Sequence, residues 1–231
     1  MSIDLCIRID RPESLPGFAA MAKTLGFAGL ATSLDLGSPS IVAENGIVVY
    51  RRAELNGRSL STMKHQVAQV RRQSAVVAVP LRGADVINWA AEDPRVDLIT
   101  VIDDNRDNML RESTAKLAAK HDVALEIKVS GLLETSGLDR SRIIKTFREN
   151  VTTAVHAGQH VVLSSDASDP LGMRSPTAMQ WIGNLLGLEG AHMKDLVETT
   201  SADIVARNIR KMASSVPGSG IEIVREGGRV E

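Results

Sequence analysis

Short runs of aliphatic and β-branched residues recur along this chain, each followed by a stretch whose apolar positions repeat every three or four residues. The short runs predict strands over 3–9, 29–33, 47–52, 75–81, 96–102, 123–130 and 160–165. The longer stretches predict helices over 14–25, 61–73, 84–92, 105–121, 141–156, 176–186 and 202–212. In one of them Ile143, Ile144, Phe147, Val151 and Ala154 form the apolar stripe. Alternation of this kind predicts an α/β protein, a TIM-like (β/α) barrel of seven or eight parallel strands. Its closure is expected to be imperfect, because 183–201 contains no clear strand. An open doubly wound sheet is the structural alternative, although no G-x-G-x-x-G follows the first strand and no Walker loop occurs. Residues 1–213 read as one barrel domain, and 214–231, rich in Gly and Ser, as a flexible C-terminal tail.

Strand parity sorts the charged residues. Ile3, Leu5, Ile7 and Ile9 share one face of the first strand, against Asp4, Cys6, Arg8 and Asp10 on the other. In 123–130, Leu125, Ile127 and Val129 oppose Glu126, Lys128 and Ser130. With the apolar sets turned to the helices, Asp4, Arg8, Glu126 and Lys128 point into the barrel lumen, where Asp97 is placed as well. Unpaired buried charges cost several kcal/mol each, so these groups are expected to pair with one another or to meet water at the mouth. Such a lumen reads as a catalytic site, a ligand site, the remains of one, or a charge-paired plug that fixes the strands.

Composition removes several classes of function. The chain has 231 residues, 43% of them hydrophobic, enough for one large domain. Lys and Arg total 27 against 28 Asp and Glu, a net charge of −1, so any RNA contact must be local. The single cysteine, Cys6, rules out an internal disulfide, and no apolar run approaches the roughly 20 residues that span a bilayer. Without a basic, apolar leader pattern, the expected compartment is the cytoplasm. Metal chemistry finds little support. His65, His121, His156 and His192 fall in or beside predicted helices, and His160 starts its strand, the wrong end of a barrel for chemistry. Asp103 and Asp104 close the fifth strand, though Asp104 also suits a helix N-cap. A free-standing metal-dependent phosphoesterase using Asp4, Asp103 and Asp104 is therefore kept as the alternative function.

Anion chemistry is better marked. The strand ending in Ser164-Ser165 leads to Arg174-Ser175-Pro176, which predicts a helix with Ser175 as N-cap and Pro176 at its first position. Free backbone N–H groups, the positive helix end and the Arg174 fork together suit a phosphate, although an ordinary strand-to-helix turn has the same sequence. Lys64 with Arg71, and Arg142 with Lys145 and Arg148, form rows that read either as solvated faces or as separate phosphate contacts. With Arg51, Arg52 and Arg58, and with Arg207, Arg210 and Lys211, they make scattered positive patches that suit folded RNA, and with aromatics at 3% a base-stacking platform is not expected.

Taken in order, Arg95-Val96-Asp97-Leu98-Ile99, Val123-Ala124-Leu125-Glu126-Ile127, Leu163-Ser164-Ser165-Asp166-Ala167, Arg174-Ser175-Pro176, Ile204 and Asn208 resemble the archaeal ribonuclease P component 3 family, whose eukaryotic counterpart is a 30-kilodalton subunit. Asp166 stands where that family more often has a small residue, commonly Gly. The resemblance implies a TIM-like barrel related to the polymerase and histidinol phosphatase metal hydrolases, serving a ribonucleoprotein that removes 5′ leaders from precursor tRNA. Those hydrolases carry Asp-Leu-His-x-His on the first strand, where this chain reads Asp4-Leu5-Cys6-Ile7-Arg8. By the same resemblance the protein has no catalytic residue, metal or cofactor of its own, and catalysis belongs to the RNA subunit with its Mg²⁺. The implied partners are ribonuclease P RNA and a small α/β protein subunit, as a heterodimer or heterotetramer, with precursor tRNA met indirectly and no membrane. The expected RNA contacts are Arg174, Ser175, Ser164, Ser165, Lys128, Arg106, Lys64, Arg71 and Arg142.

Overall fold

The structure, a computed structural model, describes residues 1–57, 59–102, 109–190 and 198–212. Strand and helix alternate as β1 (Ile3–Ile7), α1 (Leu15–Leu25), β2 (Gly29–Thr32), β3 (Ser40–Val42), β4 (Val48–Glu54), α2 (Leu60–Val70), β5 (Val76–Pro80) and α3 (Ala84–Glu92). They continue as β6 (Leu98–Thr100), α4 (Glu112–Lys120), β7 (Ala124–Lys128), α5 (Ser130–Glu134), α6 (Gly137–His156), β8 (Val161–Ser164), α7 (Pro176–Leu185) and α8 (Thr200–Met212). Strands β1, β2, β4, β5, β6, β7 and β8 lie side by side in that order, all parallel. The residues just past β8 bring the sheet round to β1. Asp166 donates its backbone N–H to the Cys6 carbonyl at 2.8 Å, and Arg8 donates to the Ala167 carbonyl at 2.9 Å. The ring is a barrel of seven parallel strands among the described residues.

Each predicted strand is present, its ends within two residues of those expected. Two short elements escaped the pattern. Strand β3 pairs antiparallel with β4, and α5 is a five-residue helix directly after β7. The helix expected over 105–121 spans Glu112–Lys120, with Arg111 in the N-cap position. Arg58, Asp103, Asp104, Arg106 and the tail 214–231 lie outside the described residues.

Two apolar layers hold the ring. Val77, Val79, Ile99, Leu125, Ile127 and Leu163 face outward against Phe147, Val151 and Ala154 of α6 and the other helices. Inside, Leu5, Val76, Leu98, Ala124 and Val162 build a floor that Ile204 and Val205 of α8 close from below. This floor corrects the parity expected for β1. Ile3 and Leu5 belong to the lumen floor, whereas Asp4 pairs in register with Leu30, which packs on the outer layer with Phe18. The register then shifts between Asp4 and Ile7, and Ile7 and Ile9 pack outward as expected. A bulge thus inverts the face on which half of the strand's residues lie.

Candidate nucleic-acid interface and barrel mouth

Above the apolar floor sits a buried ion pair. Arg52 of β4 donates from its two terminal nitrogens to the two Glu126 oxygens at 2.7 and 2.6 Å, and to the Leu5 carbonyl at 2.8 Å. Thr100 and Ser164 add hydroxyl donors to Glu126, each at 2.6 Å. Both charged side chains have 0% exposure. Burial pushes the Glu126 carboxyl up, but the Arg52 charge and these hydrogen bonds outweigh it and hold the group below the usual carboxylate range. The guanidinium expected in the lumen from Arg8 is therefore supplied by Arg52. Arg8 sits at the rim, half exposed, with its Nε donating to the Asp166 carbonyl at 2.9 Å.

A second tier lies at the carboxyl ends of the strands. Lys128 bridges Glu54 at 2.6 Å and Asp166 at 3.3 Å, and the single Cys6 S–H lies within reach of both carboxylates, 3.2 Å from Asp166 and 3.6 Å from Glu54. Burial raises the Glu54 carboxyl, yet Arg52 and Lys128 bring it down to about 2. Ser130, at the start of α5, donates to Asp166 at 2.9 Å. Asp166 holds a left-handed backbone, φ 51°, which accounts for glycine suiting this position. Its carboxylate compensates for that conformation with the contacts to Cys6, Ser130 and Lys128.

Asp4 is outside this network. Its Oδ1 accepts from the Cys6 and Ser165 backbone N–H groups at 3.3 and 3.1 Å, across the β1–β8 seam. Oδ2 is buried and has no hydrogen-bond partner among the described residues, and burial pushes the carboxyl up to about 6. Asp97 is also not in the lumen. It lies at the opposite end of the barrel, where it accepts from Arg71 at 2.6 Å, the Val77 backbone N–H at 2.8 Å and Asn208 at 2.7 Å.

The expected phosphate contacts separate into two groups. Ser164 and Ser165 are buried, Lys128 is bound in the mouth network, and Arg71 is held by Asp97, so none of these is a free surface donor. Lys64 and Arg142 are exposed in the first two turns of α2 and α6, Arg142 pairing with Asp139 at 3.0 Å. Ser175 caps α7, accepting from the Ala178 N–H at 3.2 Å, and Pro176 occupies the first turn. One Arg174 nitrogen braces the preceding turn by donating to the carbonyls of Leu171, Gly172 and Met173, and the other two guanidinium nitrogens have no partner among the described residues. Helices of a parallel barrel start at the carboxyl ends of the strands, so Lys64, Arg142, Arg174 and Ser175 share the end that carries the mouth. Among the described residues, no group of three or more His, Cys, Asp or Glu side chains is placed to hold a metal ion.

Comparison with known proteins places this geometry. The family model for RNase P subunit p30 matches residues 1–213. The chain belongs to the RNase P subunit p30 family. Ribonuclease P protein component 3 of Methanosarcina barkeri is 26% identical over 97% of this chain and 96% of its own. The component 3 protein of Methanosarcina acetivorans is 28% identical over 89% of each. A chain in the cryo-EM structure of archaeal ribonuclease P with mature tRNA has the same fold, with a TM-score of 0.78 and 22% identity, covering 98% of this chain and 99% of that one. Arg52, read from the sequence as part of a positive surface patch, is instead fully buried in the lumen, and Glu54 is the site residue that sequence reading missed. The alternation Tyr50, Arg52, Glu54 in β4 was the available signal.

Proposed function

We propose that this chain is a non-catalytic protein subunit of ribonuclease P, supporting the catalytic RNA during removal of 5′ leaders from precursor tRNA in the cytoplasm. One observation carries the reading: the p30 family pattern runs through residues 1–213 of a barrel whose lumen is filled by Arg52 clasping Glu126. A guanidinium fixed at the centre of the ring repels a divalent cation, and its hydrogen bonds leave Glu126 no free oxygen for chemistry. The RNA with its Mg²⁺ supplies the reaction, and a small α/β subunit joins this chain as a heterodimer or heterotetramer. The phosphate contacts on this chain are Arg174 and the Ser175 helix start, with Lys64 and Arg142 on neighbouring helix ends. Backbone N–H groups at the head of α7 and the open side of the Arg174 fork provide the donors.

Reconstitution tests this. Adding the chain to the RNA and the remaining protein subunits raises precursor cleavage, while the chain alone with Mg²⁺ or Zn²⁺ hydrolyses neither precursor tRNA nor a simple phosphate ester. Arg174→Ala lowers RNA affinity and reduces the slope of log K against log salt by about one phosphate contact. RNA-independent, metal-dependent hydrolysis by the isolated chain would overturn the proposal. An unchanged salt slope would remove Arg174 from the interface.

A further inference from the structure

The barrel mouth opens into a cavity of about 500 Å³ lined by Ala78, Pro80, Thr100, Val101 and Ile102 and by charged groups from the strand ends. A cavity of this size at the carboxyl end of barrel strands is where such folds hold small ligands. Three of its polar groups are unspent. Among the described residues every Glu54 contact, from Cys6, Arg52 and Lys128, falls on Oε1, which leaves Oε2 of this partly exposed, ionised side chain as an unused acceptor. The exposed Asn56 amide and the exposed Arg82 guanidinium, both on the rim, make no hydrogen bond or ion pair among the described residues. Lys128 adds a partly buried ammonium whose bonds to Glu54 and Asp166 are already made.

These groups define a ligand with three features. It has an amino group to donate to Glu54 Oε2, a flat weakly polar body to lie on Pro80, Ala78, Val101 and Ile102, and an anionic end for the Arg82 fork. The Asn56 amide, donor and acceptor at once, matches the mixed edge of a heterocycle. We infer that the mouth cavity receives a single unpaired nucleotide bearing an exocyclic amino group, adenosine, cytidine or guanosine, extruded from the RNA. Uridine lacks the amino group and can offer Glu54 only its imide N3–H, flanked by two carbonyl oxygens that the carboxylate repels. The inference deepens the ribonuclease P reading and rests on it for the source of the nucleotide, whereas the cavity's chemistry stands independently of it.

Two measurements separate these. In an NMR titration of the intact chain with AMP, CMP, GMP and UMP, the first three shift backbone resonances at 78–82 and 100–102. UMP binds about tenfold more weakly, the scale of one hydrogen bond to a charged group. Arg82→Ala, at an exposed position, removes the advantage of each nucleotide over its nucleoside, and Asn56→Ala weakens all amino-bearing bases. No shift at these residues with nucleotides at 10 mM, equal binding of UMP, or the same shifts produced by orthophosphate alone would overturn the inference. The second measurement is affinity for the RNA subunit in the reconstituted particle. Arg82→Ala and Asn56→Ala are expected to lower it about three- to tenfold. If mononucleotide binding falls but RNA affinity does not, or if the loss appears only toward the partner protein, the RNA is not the occupant and the inference fails. If the unmodified chain binds nucleotides at the cavity but never RNA, the ribonuclease P reading fails and RNA is excluded as the source, while the cavity's nucleotide chemistry stands.

Discussion

Replacing Arg52 with Met isolates the energetics of the lumen. The side chain is fully buried and supplies two of the four hydrogen bonds on Glu126, at 2.7 and 2.6 Å. Without it Glu126 retains only the Thr100 and Ser164 hydroxyls and becomes a buried carboxylate without a counter-charge. Breaking such a pair from one side costs about 3–5 kcal/mol, a large fraction of the 5–15 kcal/mol typical of a domain. At about 2–4 °C per kcal/mol for a chain of this size, the melting temperature falls by roughly 6–20 °C. Urea and thermal unfolding followed by circular dichroism measure both quantities. The loss also carries a pH signature. In the unmodified protein the folded carboxyl titrates below the unfolded value, so its contribution is present above about pH 4.5 and disappears as pH falls through the depressed folded value. In Arg52→Met the folded carboxyl titrates above that value, so the penalty grows as pH rises from about 4.5 and fades below it. Adding Glu126→Leu to Arg52→Met removes the stranded charge and restores about half of the loss, the Thr100 and Ser164 hydroxyls then lacking their acceptor. A loss below about 1 kcal/mol, or one independent of pH between 4 and 8, would show that the pair does not organise the lumen.

Asp4 gives a pH effect of the other sign. Its carboxyl is pushed up to about 6 from 3.8, so its contribution is complete below about pH 3.8 and is lost as pH rises through 6. The full swing is about 3 kcal/mol, and pH-dependent urea melts of Asp4→Asn should lack this component. Asp97→Ala removes the acceptor for Arg71, the Val77 backbone and Asn208. It is expected to lower unfolding free energy by about 2–4 kcal/mol, because Arg71 keeps some solvent access, and equilibrium urea unfolding reads it.

Most strands and helices were legible because apolar residues repeat with the period of the element that buries them. The sheet-forming runs in β5, β7 and β8 are continuous or strictly alternating, and tertiary structure adds nothing that contradicts them. The N-cap at Ser175 was equally legible, since a serine followed by proline is a local signal that needs no long-range partner. Elements of three to five residues, β3 and α5, have too few positions to show any period.

The site was less legible for a geometric reason. Parity assigns a side chain to a face only while the strand keeps its register, and β1 slips between Asp4 and Ile7. The slip sends Asp4 to the seam with Ser165 and keeps Leu5 inside the ring, leaving the lumen cation to come from another strand. Arg52 can fill that place because β4 runs unbroken past its pairing with β2 into its pairing with β5, carrying Tyr50, Arg52 and Glu54 along one face toward the mouth. A charge that looks misplaced in one strand thus has its explanation in the register of its neighbour. Arg52 lies two strands from β1 around the ring, and across the lumen it donates directly to the Leu5 carbonyl of that strand at 2.8 Å.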